Sequence, residues 1–271
     1  MRPVALADAC DERVYGGKAV QLGAAIRSGL PVPDGFALPT DLVAAVAEGT
    51  PAAQATLHGI ADALTGPVAV RSSAVGEDSA DASFAGQHAT LLNVHGVAEI
   101  VRAVETVWQS AWSESALAYR RRIGAATTVQ MGVVIQRLVH ADMAGVMFTR
   151  NPVTGADELV IEASWGLGEA VVQGLVAPDL YRVTRTGTTI ERRAGMKKVA
   201  VRRVATGGTR AEPVDRALAR QLCLGDDHLQ ALSQVARRCD EVFGPGPHDV
   251  EWAFSAGTPY LLQRRPVSTR R

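Results

Sequence analysis

The spacing of hydrophobic residues changes near Val129, and this change constrains the fold more than any other feature of the sequence. Before it, stretches such as 97–122 carry apolar residues three or four positions apart, which predicts amphipathic helices. After it, short apolar runs such as 133–139 predict strands separated by turns. A helix-rich half followed by a strand-rich half predicts an α+β chain of two lobes, 1–138 and 139–271.

Composition excludes several classes of protein. The chain has 271 residues, 47% of them hydrophobic, with a formal net charge of zero. That is enough apolar material for a sizeable core, and there is no basic excess to neutralise a nucleic-acid backbone. We expect no signal peptide and no membrane span, because no charged start leads into an apolar segment and no apolar run reaches 18 residues. Cys10, Cys223 and Cys239 lack metal-ligand spacing, which predicts free thiols in the cytoplasm.

The periodicity predicts a series of elements on either side of Val129. The predicted helices are 19–28, 41–48, 51–64, 97–122 and 215–243. The predicted strands are 67–71, 133–139, 144–149, 159–163, 181–184, 189–191 and 198–204, with a closing hairpin over 249–263. Residues 72–87 are predicted to form a polar loop. The lobes are expected to meet near 136–140, and a cleft between lobes is a favoured place for a ligand.

The closing hairpin is the strongest candidate for a metal site. Symmetry about Gly257 places Glu251 opposite Gln263 and Asp249 opposite Arg265, all on one face. The same symmetry places Trp252 opposite Leu262 and Phe254 opposite Tyr260 on an apolar face.

Two interpretations of the polar face of this hairpin remain open. Opposed side chains lie close together, and their carboxylate and amide oxygens suit Mg²⁺. Arg265 could then bind phosphate or orient Asp249. The alternative is a solvent-facing strand pair with a cross-strand contact between an acid and an arginine.

Two segments are candidates for binding phosphate. Gly16-Gly17-Lys18 opens a predicted helix, where backbone N–H groups and an ammonium favour anions. Only Lys18, Lys197 and Lys198 of the 28 basic residues are lysine. Lys18 is therefore interpreted as a specific choice and the other two as chance. Arg71 ends a predicted buried strand and is followed by Ser72 and Ser73. Each segment could instead be an ordinary turn. The glycine-rich run 164–169 is interpreted as a tight turn from strand to helix.

Five ordered blocks of sequence resemble one family, the N-terminal ATP-grasp domain of pyruvate phosphate dikinases and phosphoenolpyruvate synthases, which is similar to that of rifampicin phosphotransferases. The blocks are Gly16-Gly17-Lys18 with Gly29-Leu30-Pro31-Val32-Pro33 and Gly35-Phe36; Val68-Ala69-Val70-Arg71-Ser72-Ser73-Ala74 with Glu77-Asp78 and Ser83-Phe84-Ala85-Gly86-Gln87; Ala144-Gly145-Val146-Met147-Phe148-Thr149 with Asn151-Pro152-Val153-Thr154-Gly155; Ile161-Glu162-Ala163-Ser164-Trp165-Gly166-Leu167-Gly168-Glu169; and Asp249-Val250-Glu251-Trp252 with Leu262-Gln263-Arg264-Arg265-Pro266. The resemblance implies a two-lobed ATP-grasp fold with the nucleotide cleft between the lobes.

The resemblance also implies roles for individual residues. Lys18 and Arg71 would bind the ATP phosphates, and Arg265 would lie near the transferred phosphoryl group. The metal ion Mg²⁺ would be held by Glu251 and Gln263 with Asp249 beside it. The residues implied to lie beside adenine are Gln136, Arg137 and Leu138. Residues 83–87 would form a mobile loop over the phosphates.

The sequence departs from the family pattern in three respects. Ala19 follows Lys18 where the family usually has glycine, and residues 74–77 read Ala-Val-Gly-Glu rather than Ala-Thr-Ala-Glu. The chain also ends six residues after Arg265, and no histidine lies in a carrier motif. We therefore expect a stand-alone ATP-binding component.

Three functions remain open at this point. The chain could use ATP to phosphorylate a histidine on a separate carrier protein, or it could act directly on a small molecule as a kinase or ligase. It could also be a non-catalytic nucleotide sensor. The retained site residues argue against the sensor, and nothing in the sequence separates the first two.

Overall fold

A computed structural model describes residues 2–76, 89–123 and 129–267. They form an α+β fold, so the predicted class is confirmed. The chain divides into two compact units, each built from separate stretches of sequence. Unit 1 comprises Met1–Arg27, Pro33–Leu138 and Ala205–Gly208. Unit 2 comprises Ser28–Val32, Val139–Val204 and Thr209–Arg271.

Unit 1 is a five-stranded sheet with helices packed against it. Its strands are β1 (Val4–Ala5), β2 (Gly35–Leu38), β3 (Val68–Ala74), β4 (Thr90–Val94) and β5 (Met131–Arg137), in the antiparallel order β1-β2-β5-β3-β4. Its helices are α1 (Glu12–Tyr15), α2 (Gly17–Arg27), α3 (Thr40–Ala47), α4 (Pro51–Ala63), α5 (Gly96–Ser110) and α6 (Glu114–Ile123), with a 3₁₀ turn at Leu6–Asp8. The apolar faces of α3 and α5 pack on β3 and β5, and α4 packs on α3 and α5. These contacts form the core of the unit.

Unit 2 is a six-stranded antiparallel sheet with one long helix against it. Its strands are β6 (Met143–Phe148), β7 (Glu158–Trp165), β8 (Asp179–Thr184), β9 (Thr189–Arg193), β12 (His248–Ser255) and β13 (Thr258–Pro266), in the order β13-β12-β6-β7-β8-β9. A separate two-stranded sheet pairs β10 (Val199–Arg203) with β11 (Thr209–Pro213). The remaining elements are α7 (Glu169–Val172), a 3₁₀ turn at Leu218–Arg220 and α8 (Asp226–Phe243). Helix α8 packs on β8 and β13, and Tyr181 and Trp252 are fully buried in this unit.

Two predicted helices are shorter in the structure. At the positions where helix is absent, side chains accept hydrogen bonds from backbone N–H groups. The helix predicted over 97–122 is interrupted after Ser110. Ser113 begins the second helix, since its Oγ accepts a hydrogen bond from Ala116 N at 3.2 Å. The helix predicted over 215–243 begins only at Asp226. Before it, the backbone N–H groups of Cys223 and Leu224 donate to side chains of β8.

The strand predicted over 67–71 continues to Ala74. Ser72 and Ser73 were predicted to begin a polar loop, but they pair with Val133 and Gly132 of β5 and are buried. Ladder pairing to a central strand outweighs the turn preference of serine here. The short strands β1, β2, β4 and β11 were not predicted. No helix in the described part of the chain is long and apolar enough to cross a membrane.

The closing hairpin forms as predicted along its open end, but the register shifts near the turn. Asp249 pairs with Arg265 and Glu251 with Gln263. Between Glu251 and Trp252 a bulge moves the pairing by one residue, so Trp252 faces Leu261 rather than Leu262, and Phe254 faces Pro259 rather than Tyr260. The turn contains Ala256 and Gly257, both with positive φ, which suits a two-residue hairpin loop.

Candidate functional site

The turn that precedes α2 depends on glycine at position 16. Gly16 has φ 80° and ψ 166°, a conformation that other residues hardly adopt. A Cβ at this position would lie 1.6 Å from the carbonyl oxygen of Ser73. Both constraints demand glycine, and they bring the turn directly against the end of β3.

Lys18 lies in the first turn of α2 and is buried, with 4% of its surface exposed. The next residue, Ala19, donates its backbone N–H to Ser73 Oγ at 2.9 Å. Ser73 therefore caps the helix from another element, and its hydroxyl oxygen serves the fold. This bond ties the helix that carries Lys18 to the strand that carries Arg71, a link that sequence reasoning missed.

Arg71 is buried, and Gln136 on the neighbouring strand β5 contacts its guanidinium. Arg71 Nη1 donates to Gln136 Oε1 at 3.4 Å, while Gln136 Nε2 donates to the carbonyl oxygen of Pro33 at 3.0 Å. A Cβ on Gly35 would lie 2.8 Å from Gln136 Cγ. The missing side chain of Gly35 thus leaves room for Gln136 and for the carbonyl oxygen of Ile135, which a Cβ would approach to 2.5 Å.

The three residues predicted to lie beside adenine are the last two residues of β5, Gln136 and Arg137, and the next residue, Leu138. Gln136 is buried and its amide is bonded as described above. Arg137 is exposed and its Nη1 donates to the carbonyl oxygen of Thr65, while Leu138 N donates to that of Pro67. Their contact with adenine stays a prediction.

On the hairpin of unit 2, Asp249 and Arg265 form an ion pair. Arg265 Nε and Nη2 both approach Asp249 Oδ2, at 2.8 and 2.6 Å. Asp249 is 7% exposed, and its other oxygen, Oδ1, is buried without a hydrogen-bond partner among the described residues. Buried polar atoms are nearly always satisfied, so this carboxylate oxygen is a candidate for contact with water or with a bound cation.

The chemistry of this face fits a hard cation. Glu251 and Gln263 are directly paired across the strands, two residues from the Asp249–Arg265 pair. Together with Asp249 they present carboxylate and amide oxygens, which are the donors that Mg²⁺ prefers. In the described ranges no group of three or more His, Cys, Asp or Glu side chains could hold a metal. The candidate ligands are therefore two acids, Asp249 and Glu251, and the amide of Gln263.

The glycine-rich run after β7 is the tight turn predicted from the sequence. Gly166 has φ 77° and a Cβ there would lie 2.5 Å from the carbonyl oxygen of Val201. Gly166 N and Leu167 N donate to the carbonyl oxygens of Asp142 and Val201 before α7 begins. The loop predicted over 83–87 lies outside the described residues.

Comparison with known sequences defines the class of protein. Residues 38–271 match the family described as pyruvate phosphate dikinase, AMP/ATP-binding domain. That match covers most of the chain, so this is an AMP/ATP-binding domain. The chain belongs to the pyruvate phosphate dikinase AMP/ATP-binding domain family, as its sequence blocks predicted.

Two relatives illustrate the relationship. A probable phosphoenolpyruvate synthase from Methanothermobacter thermautotrophicus is 42% identical over 204 residues, covering 74% of this chain and 30% of the relative. A rifampicin phosphotransferase from a Streptomyces species is 37% identical over 305 aligned residues, covering 97% of this chain and 35% of the relative. The chain thus spans about a third of the length of these relatives.

Comparison with solved structures gives matches with TM-scores below 0.5. D-alanine–D-alanine ligase from Bacillus anthracis has a TM-score of 0.46 and 11% identity, covering 94% of this chain and 57% of the ligase. Carboxyaminoimidazole ribonucleotide synthase from Aspergillus clavatus, solved with ATP, has a TM-score of 0.44 and 12% identity, covering 93% of this chain and 44% of the synthase. The family assignment rests on the sequence matches alone.

Proposed function

We propose that this chain binds Mg-ATP and uses it to phosphorylate a histidine on a carrier domain, so that ATP, water and histidine give phosphohistidine, AMP and inorganic phosphate overall, as in phosphoenolpyruvate synthase-like enzymes. The observation that carries the proposal is the buried, unpartnered Oδ1 of Asp249 beside the Glu251–Gln263 pair. Membership of an ATP-binding family supports the nucleotide.

Phosphoryl transfer depends largely on positioning and charge neutralisation, and the candidate residues have separate roles in it. Lys18 and Arg71 bind the phosphates. Asp249, Glu251 and Gln263 hold Mg²⁺, which when bound neutralises charge on the phosphate oxygens. Arg265, oriented by Asp249 Oδ2, donates to the phosphoryl group in transfer. A neutral histidine acceptor needs no strong base.

A second candidate acceptor is a small molecule. The chain matches rifampicin phosphotransferases over nearly its whole length, and their name specifies a small-molecule acceptor. In this alternative the same residues bind Mg-ATP and only the acceptor differs. A non-catalytic nucleotide-binding subunit is the third possibility.

Nucleotide product analysis tests these alternatives. The full chain is incubated with Mg-ATP, with and without a carrier domain from a phosphoenolpyruvate synthase, and AMP is separated from ADP. AMP that forms only with the carrier supports the histidine acceptor. ADP, or AMP formed only with an added small molecule, supports the second candidate. Tight ATP binding without turnover supports the third.

Glu251→Ala tests the metal-binding role directly. We expect this variant to fold and to lose Mg²⁺-dependent turnover. Glu241→Ala, on the exposed face of α8, is the matched control and should retain it. Wild-type activity in Glu251→Ala would contradict the metal assignment.

A further inference from the structure

The face of the hairpin opposite the metal residues carries a second arginine with a different partner. Arg264 pairs with Val250, and His248 lies two residues before Val250 on the same strand without an intervening bulge. Because side chains alternate along a strand, Arg264 and His248 share the face opposite to Asp249 and Arg265. Arg264 Nε and Nη2 contact His248 Nδ1 at 3.0 and 2.6 Å.

These contacts fix the tautomer of His248. A ring nitrogen that accepts from a guanidinium carries no proton, so the proton lies on Nε2. Nε2 donates to the carbonyl oxygen of Gly244 at 3.1 Å, at the end of α8. The ring is 2% exposed and bonded through both nitrogens.

The end of α8 supports the same pair from the other side. The guanidinium of Arg264 lies over the ring of Phe243, 4.7 Å from its centroid, which is a cation–π contact. Asp240, one turn earlier on the helix, lies 3.3 Å from His248 Nε2 and forms an ion pair with Arg185. Arg185 in turn donates to the carbonyl oxygen of Thr149 at 2.8 Å.

The backbone of His248 is held as firmly as its side chain. His248 N donates to Thr149 Oγ1 at 2.8 Å, and Thr149 N donates to the carbonyl oxygen of His248 at 2.9 Å. His248 is therefore bonded through its backbone N–H, its backbone carbonyl and both ring nitrogens. The next residue along the chain is Asp249, whose side chain leaves the opposite face of the strand.

We propose that His248 and Arg264 are positioning residues that hold the start of β12, and with it Asp249 Oδ1, in the geometry needed to bind a divalent cation. The inference rests on the proposed metal-binding function of Asp249. Neither residue touches the cation in this proposal. Each acts through the backbone that the two faces of the hairpin share.

Positioning of this kind has a measurable cost when it is lost. Supporting groups around a metal site typically contribute 10- to 100-fold in affinity, because ligands must be held within a fraction of an ångström. We expect His248→Leu and Arg264→Met each to weaken Mn²⁺ binding by about tenfold. His248→Gln should recover most of the affinity, since an amide can accept from Arg264 and donate to the Gly244 carbonyl.

The experiment measures Mn²⁺ binding to the full chain by water proton relaxation, at a temperature where circular dichroism shows every variant folded. Arg237→Met is the charge-matched control, since Arg237 is exposed on α8 and pairs only with Glu241 among the contacts described. Lys197→Met is the stability-matched control, because it removes a buried ion pair elsewhere in unit 2. Both controls should bind Mn²⁺ as the wild type does.

The outcomes separate this inference from the function on which it rests. If the wild type fails to bind Mn²⁺, the proposed metal site itself is wrong. If the wild type binds and folded His248→Leu and Arg264→Met bind equally well, only the positioning role is overturned. A loss of affinity in Lys197→Met equal to that in His248→Leu would also overturn it, because general stability would then account for the effect.

Discussion

At the scale of single residues, the two oxygens of Asp249 have different surroundings. Arg265 approaches Oδ2 through two nitrogens, while Oδ1 is buried without a partner in the described structure. A planar guanidinium can direct two nitrogens at one carboxylate oxygen in a fixed geometry, which the single ammonium of lysine cannot do. In the proposed metal site, this division would let one acid orient an arginine and bind a cation at the same time.

Replacing Lys18 tests its role in binding phosphate. We expect Lys18→Ala to weaken binding of a non-hydrolysable ATP analogue by about tenfold or more, the size of a lost charge-assisted hydrogen bond. Isothermal titration calorimetry measures the change. Lys198→Ala removes an exposed lysine and should leave the affinity unchanged. If Lys18→Ala binds the analogue as tightly as the wild type, Lys18 serves the fold and not phosphate binding.

Glu158 makes the stability of the chain dependent on acid pH. Hydrogen bonds from Arg182, and to a lesser extent from Asn151, lower the pKa of Glu158 below its ordinary value. A lowered pKa in the folded state contributes stability above the unfolded pKa, and this contribution disappears as pH falls through the folded value. Chemical unfolding at pH 7 and at pH 3 should show a larger loss for the wild type than for Glu158→Gln. Identical losses would contradict the coupling.

The residues that sequence analysis identified are those whose role follows from local pattern. Strand alternation alone places Asp249 opposite Arg265, and a glycine pair marks the turn before Lys18. The contacts of Ser73 and His248 bring together positions more than 50 and nearly 100 residues apart, and no local pattern reveals them. Lys197 was interpreted as chance, yet it is fully buried against Asp179.

At the scale of elements, the turn between α1 and α2 depends on the backbone freedom of one residue. We expect Gly16→Ala to destabilise the chain by more than about 2 kcal/mol, since it forces a side chain into a glycine-only conformation and against Ser73. Gly59→Ala, in the exposed face of α4 with nothing near its Cβ, should instead stabilise by about 1 kcal/mol. Denaturant unfolding measures both. Similar effects of the two changes would show that the turn relaxes freely.

The hairpin shows where prediction of elements succeeds and where it ends. Pairing at its open end followed from alternation and a turn centred on Gly257. The bulge after Glu251 could not be predicted, because the positions around it, Trp252, Leu261 and Leu262, are all apolar and fit either register. The late start of α8 could not be predicted either, because the backbone just before it is hydrogen-bonded to side chains of a distant strand.

At the scale of the whole molecule, neither unit is one continuous stretch of sequence. The sequence analysis used one boundary, after residue 138. In the structure, Ser28–Val32 from the first half of the chain belongs to unit 2, and Ala205–Gly208 from the second half belongs to unit 1. Nothing in the sequence of these segments indicates to which unit they belong, because their membership depends on tertiary contacts.

The buried pair of Lys197 and Asp179 connects distant parts of unit 2. Asp179 also accepts from the backbone N–H groups of Gly195 and Cys223. We expect Lys197→Met to destabilise by roughly 3–5 kcal/mol, because it leaves a buried charge without its partner. Adding Asp179→Asn should recover part of that loss. Lys198→Met is the exposed control, and a similar effect for both lysines in thermal unfolding would contradict the assignment.

The two short segments 28–32 and 205–208 limit where a chimera between this chain and a relative can be joined. Gly208 and Asn93 share two hydrogen bonds in unit 1, and Leu261 N donates to the carbonyl oxygen of Pro31 in unit 2. A chimera joined once after residue 138 would therefore bring together segments from different parents at both places. Exchanging one unit intact requires junctions on either side of 28–32 and of 205–208 as well. A chimera that takes both units from one parent keeps both sets of contacts.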